Sequence, residues 1–178
     1  MRPHLPWLCQ GDIFRDVPVV DVALQGRGTV RPRVSNGPAI LLTHGCVLDK
    51  RTNSGKSRVE RLQFAPLKAM TLLNADKARN LVLKARELAP SEVMYLGEIG
   101  EFGAAFFSFT DPYWLPAQYF ELTFQLFPEH LEADETGEFV CPTINDTRMG
   151  RIESDELILL SAKLVAFWTR QKAGPPAT

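Results

Sequence analysis

The chain has 178 residues but only three cysteines, Cys9, Cys46 and Cys141, with no CxxC pair and one thiol left over from any pairing. A disulfide framework and a zinc ribbon are both excluded on those grounds, and reduced thiols are expected. The three histidines, His4, His44 and His130, show no metal-ligand spacing with the cysteines, so no metal is expected. A phosphate-cradling glycine loop is missing too: Gly26, Gly28, Gly55 and Gly103 are scattered, and NSGKS at 53–57 lacks the first glycine and leads into a strand-like segment. No nucleotide cofactor is expected. No apolar run approaches the roughly 20 residues that span a bilayer, and MRPHLPWLCQGDIF lacks the apolar core of a secretion signal. A cytoplasmic protein with no membrane association is therefore expected.

A hydrophobic content of 45% in a chain of this length suits one sizeable core. We read a single domain over 1–172 and a tail over 173–178, within the frayed stretch KAGPPAT. The formal net charge is only −1, but the charges are segregated: residues 1–90 hold 15 Lys and Arg against 7 Asp and Glu, and residues 91–178 hold 5 against 14. Basic surface gathered in one region attracts polyanions, because each neutralised phosphate releases counterions. Two halves that interleave and pair with each other are the alternative.

GDIFRDVPVVDVAL has the β-branched content of a first strand, with Pro18 marking an edge or bulge. QGRGTVRPRVSNGP has the composition of an exposed loop, and AILLTHGC reads as a central strand covered on both faces. RVERLQFAPL reads as a third strand. NADKARNLVLKARELA, with an Asn74 cap and Ala78, Leu81, Val82, Ala85 and Leu88 on one face, predicts a core-facing helix ended by Pro90. VMYLGEIG and GAAFFSFTDPYWL predict two strands within an aromatic-rich stretch, where Tyr113 and Trp114 are core residues or a base-stacking platform. PEHLEADETGE reads as an acidic loop and EFVCPTI as a last short strand. Ser154 is the expected N-cap of a C-terminal amphipathic helix whose inner residues are Leu157, Leu160, Leu164, Phe167 and Trp168. About six short strands and two helices predict an α+β fold, a small, strongly bent β-barrel with a helical insertion and that C-terminal helix.

Thr43, His44, Cys46, Asp49 and Lys50 gather at and beyond the end of the central strand, where a rigid support presents functional groups. His44 has the chemistry of a general acid or base, Lys50 that of a phosphate clamp, and Asp49 is placed to orient either. A Cys46–His44 nucleophilic pair is the weaker alternative, since residues two apart on an extended strand share a face without pointing at each other. A structural turn whose polar side chains satisfy backbone groups weighs equally with catalysis. Arg51, Lys56, Arg58 and Arg61 read as a phosphate-contacting stretch beside it, or as ordinary solvated charge.

The order of motifs resembles the MazF/PemK family of toxin endoribonucleases. Gly11-Asp12-Ile13-Phe14 resembles the opening strand of that family's small SH3-like barrel. Gly37-Pro38-Ala39-Ile40-Leu41-Leu42 is similar to its Arg-Pro-aliphatic strand, and Leu62-Gln63-Phe64-Ala65-Pro66-Leu67 to its aliphatic-Ala-Pro-Ile-Thr strand. The likeness covers mainly residues 10–70 and the C-terminal helix. It implies an SH3-like barrel, metal-independent cleavage of single-stranded RNA, a homodimer and a cognate antitoxin or other protein partner. The family's catalytic Arg corresponds to Gly37 and its Thr to Lys68, so cleavage passes to His44 with Lys50, or to Arg31 or Arg33 in the preceding segment. A non-catalytic protein-interaction module on the same barrel is the contrasting expectation, and a metal-dependent or cysteine hydrolase a third.

Overall fold

The structure is a computed structural model that describes residues 1, 8–25, 29–48, 59–87, 92–117, 120, 132–133, 139–140 and 147–172. The strands are β1 (Asp12–Gln25), β2 (Thr29–Leu41), β3 (Arg61–Pro66), β4 (Lys68–Ala69), β5 (Val93–Glu98), β6 (Ala104–Ser108), β7 (Tyr113–Pro116), β8 (Glu132–Ala133), β9 (Phe139–Val140) and β10 (Arg148–Arg151). The helices are α1 (Gly45–Leu48), α2 (Ala75–Leu83) and α3 (Ser154–Lys172). One antiparallel sheet has the order β10-β1-β2-β3-β7, a second the order β4-β6-β5, and β8 pairs with β9. The fold is mixed α+β, and no closed barrel forms among the described residues.

Alternation along the central strands sorts the core into two clusters. Ile13, Ile40 and Ala65 face one way and pack with Met94, Phe107, Leu160 and Phe167. Phe14, Leu41 and Phe64 face the other way and pack with Leu62, Leu115 and Phe120. Both sides of AILL are therefore covered, as its continuous apolar run predicts. At Leu67, a single residue between β3 and β4, the chain passes from the first sheet into the second, and the Leu67 amide donates to the Pro38 carbonyl.

Gly11 sits where β1, β2 and β10 converge: its amide donates to Leu41 O and its carbonyl accepts from Ile152 N. Its φ is +85°, and a Cβ there would lie 2.7 Å from Ile152 Cγ1, so only glycine fits without strain. Next to it, Asp12 and Arg148 are sealed from solvent as an ion pair at 3.3 Å, and Asp12 also accepts from the Cys9 amide at 2.8 Å. The Arg148 guanidinium lies 5.6 Å from the centre of the Phe14 ring.

Several expectations change. The arginine-rich segment read as a loop is mostly strand, since β2 starts at Thr29 and stays in register with β1 from Gln25↔Thr29 to Val17↔Gly37. This part is a two-stranded arm: β3 pairs with β2 only at Ala39–Leu41, and β10 with β1 only at Asp12–Phe14. Pro18 and Pro32 are tolerated there because no third described strand needs their missing amide hydrogens. α2 keeps the Asn74 cap, whose Oδ1 accepts from Lys77 N at 2.9 Å, but it buries no residue. Only Ala78 and Leu81 are half-buried in it, Val82 and Leu83 stay exposed, and Leu88 and Pro90 lie outside the described residues.

In α3 the cap is Glu153, not Ser154: the Glu153 carbonyl accepts from Leu157 N, and its amide donates to Glu156 Oε2 at 3.1 Å. Leu160 and Phe167 are buried, and Phe167 stacks on Phe109 at 5.7 Å, but Trp168 is 46% exposed. A residue of opposite character, Lys163, takes an inner position and is only 3% exposed. Burial lowers its pKa from the ordinary lysine value, and the Glu87 charge partly offsets that. β10, too polar and short to be read from RMGR, was not expected. The tail at 173–178 lies outside the described residues.

Candidate functional site

β2 ends at Leu41, and the chain beyond it is held in place from β3. Leu42 N donates to Gln63 O at 2.8 Å, and Gln63 N donates to Thr43 Oγ1 at 2.7 Å. The buried Thr43 hydroxyl thus stands in for a backbone carbonyl and extends the pairing by one step. The chain then turns into α1: His44 O accepts from Val47 N and Leu48 N, and His44 Nδ1 accepts from Cys46 N at 3.2 Å. His44 is therefore the N-cap residue of that short helix. Thr43 and His44 thus satisfy backbone amides, and Asp49, the other polar group of that turn, lies outside the described residues.

The Cys46 amide hydrogen directed at Nδ1 favours the neutral tautomer that carries its proton on Nε2. The Cys46 thiol also lies 3.0 Å from Nδ1, and both side chains are exposed. On an extended strand the two would not meet; they meet here because the chain is helical from Gly45 onward.

Of the other site residues read from the sequence, Asp49, Lys50, Arg51, Lys56 and Arg58 lie outside the described residues. Arg31 and Arg33 are on the β1–β2 arm, in register with Ala23 and Asp21. Eight residues of β2 follow Arg33 and ten follow Arg31 before the strand ends at Leu41, on the order of 30 Å at the usual rise, so the structure does not bring them to the corner. Arg61 opens β3, is exposed, and forms no ion pair or hydrogen bond with any described residue.

Arg61 and Gln63, two apart on β3, share a face, and their register partners on β7 are Pro116 and Trp114. Leu62, Phe64 and Leu115 point the other way, into the core. Trp114 is 55% exposed, whereas Tyr113 packs against Phe64 at 6.2 Å between ring centres. The sequence grouped Tyr113 with Trp114; alternation along β7 separates them. Successive strands lie about 4.8 Å apart, which places the Trp114 backbone about 10 Å from Thr43 across Gln63.

Lys68, where the resembled family has its Thr, is tied to Asp111 at 2.5 Å. The Lys68 hydrogen bond holds the Asp111 carboxyl below the ordinary aspartate range, with burial opposing and the Thr110 hydroxyl assisting. Near the other edge of the sheet, the Cys9 thiol is pushed up, first by burial and then by Asp12. No group of three or more metal-ligating side chains occurs among the described residues. No described helix is long and apolar enough to cross a membrane. No protein-family model, no curated protein and no solved structure matches the chain.

Proposed function

We propose that the chain is a divergent MazF/PemK-like protein acting on single-stranded RNA at the outer end of β2 and β3. The observation that carries this reading is His44: exposed, fixed through Nδ1, and turned so that Nε2–H is the hydrogen it offers. A neutral imidazole in that tautomer donates a hydrogen bond from Nε2 to a phosphate oxygen; protonating a departing 5′ oxygen falls to the imidazolium, which returns to the neutral ring. The segment joining α1 to β3 contributes Lys50, Arg51, Lys56 and Arg58 by sequence, and Arg61 follows on the strand. The passage of the chain at Leu67 from one sheet into the other supports a curled, SH3-like scaffold. On this reading the protein is cytoplasmic and forms a homodimer, with an antitoxin or other protein as partner.

The test is incubation of the purified chain with mixed single-stranded RNA in EDTA, beside His44→Ala. Cleavage that falls at least a hundredfold in the variant supports the enzyme; RNA binding without cleavage in either protein supports a binding relative. Absence of both overturns the reading. A non-catalytic protein-interaction module is favoured by one observation, the exposed Ile158, Val165 and Trp168 on α3. Light scattering at micromolar concentration tests self-association, and a monomer contradicts the homodimer.

A further inference from the structure

We infer that Trp114, Gln63 and Arg61 form a recognition row for single-stranded RNA, in which an unpaired base stacks on the Trp114 indole and the adjoining phosphate meets Arg61. The inference rests on the RNA reading above and deepens it by naming how the strand is held. Three observations converge. The first is geometric: antiparallel register places Gln63 directly opposite Trp114, and Arg61 lies one alternation further along the same face, opposite Pro116.

The second observation is that these groups are unspent. Among the described residues, the Arg61 guanidinium, the Gln63 carboxamide and the Trp114 indole N–H have neither a hydrogen bond nor an ion pair. Lys68, by contrast, is held by Asp111. The third is that a large aromatic more than half exposed on a strand has no packing role to account for it, while its neighbours Tyr113 and Leu115 are drawn into the core.

The chemistry selects the ligand. Stacking needs a base face free of its own neighbours, which a duplex does not offer, and a carboxamide reads a base edge left open by the lack of a complementary strand. A planar cation one step away suits the phosphate and adds the charge complementarity that an apolar protein partner would not need. The His44 imidazole and the Cys46 thiol follow directly after Thr43, whose hydroxyl accepts from Gln63 N, so the row adjoins the corner that carries them.

The experiment is fluorescence anisotropy with end-labelled twelve-nucleotide single-stranded RNA, DNA of the same sequence, and the RNA duplex, titrated with wild type, Trp114→Ala, Trp114→Phe and Arg61→Ala. Circular dichroism melts of the variants verify folding. Expected are tighter binding of the single-stranded RNA than of the duplex, and a loss of at least tenfold in Trp114→Ala. Trp114→Phe should stay within about threefold of wild type, because a ring still stacks. Arg61→Ala should flatten the salt dependence by about one unit of slope. Single-strand binding unchanged in a folded Trp114→Ala, or equal binding of duplex and single strand, overturns the row and leaves the RNA reading standing. Equal or tighter binding of DNA overturns RNA as the ligand of this row. Failure of wild type to bind any of the three probes overturns both.

Discussion

The two edges of the five-stranded sheet use arginine in opposite ways. At the β10–β1 edge, Arg148 is withdrawn from water completely, paired with Asp12 and laid over Phe14. At the β3–β7 edge, Arg61 stands in solvent with no described partner, beside the exposed Trp114. The contrast teaches that position in the sheet, not residue type, decides whether a cation serves the fold or is left for a ligand. A buried guanidinium is committed: its desolvation is offset only while its counter-charge stays in place. An exposed one contributes little to stability and keeps its donors for whatever docks.

Substitutions should separate the edges by size of effect. Arg148→Ala leaves Asp12 charged inside the protein and should cost about 3–5 kcal/mol, read from urea unfolding; a loss below 1 kcal/mol would erase the contrast. Gly11→Ala forces a side chain onto Ile152 at a positive φ and should cost about 1–3 kcal/mol in the same assay. Lys163→Met should raise stability by about 1 kcal/mol at neutral pH, since it removes an inward-facing ammonium.

The sign for Lys163 follows from its lowered pKa. Above the folded value the unfolded chain binds more protons, so wild-type stability rises with pH until the ordinary lysine value is passed. The Met variant should lack that rise. Lys68→Ala removes a half-exposed pair and should cost at most about 1 kcal/mol. Its contribution is present above the ordinary aspartate range and is lost as pH falls through the lowered Asp111 value. Smallest of all, Arg61→Ala and Trp114→Ala should shift stability by no more than about 0.5 kcal/mol while changing binding.

How far the sequence reveals this varies with the kind of signal. β3, β5 and β6 are legible because aliphatic and aromatic runs end at Pro, Gly or Asp, and Asn74 announces its helix by capping chemistry, whereas β7 was merged with β6 although it lies past the Asp111–Pro112 turn in the other sheet. β10 is not legible, because RMGR has no alternation and is a strand only by virtue of its partner β1. The β2 arm was hidden by Pro32 and the arginines, whose polarity mimics a loop when only two strands pair. At the site, the end of the aliphatic run at Leu42 locates the corner, and the His44 and Cys46 side chains do meet. The assumption of an extended backbone through Cys46 obscured that contact. The pairing of Gln63 with Trp114 joins segments about fifty residues apart, and only strand register reveals it.

The lone residue between β3 and β4 has a mechanical consequence. With Leu67 buried and its amide fastened to Pro38, the polypeptide has no slack with which one sheet could peel away while the other held its shape. Amide hydrogens of Phe64 and Phe106 should therefore exchange with deuterium at similar slow rates, as members of one opening unit. Inserting two glycines after Leu67 should let those rates drift apart.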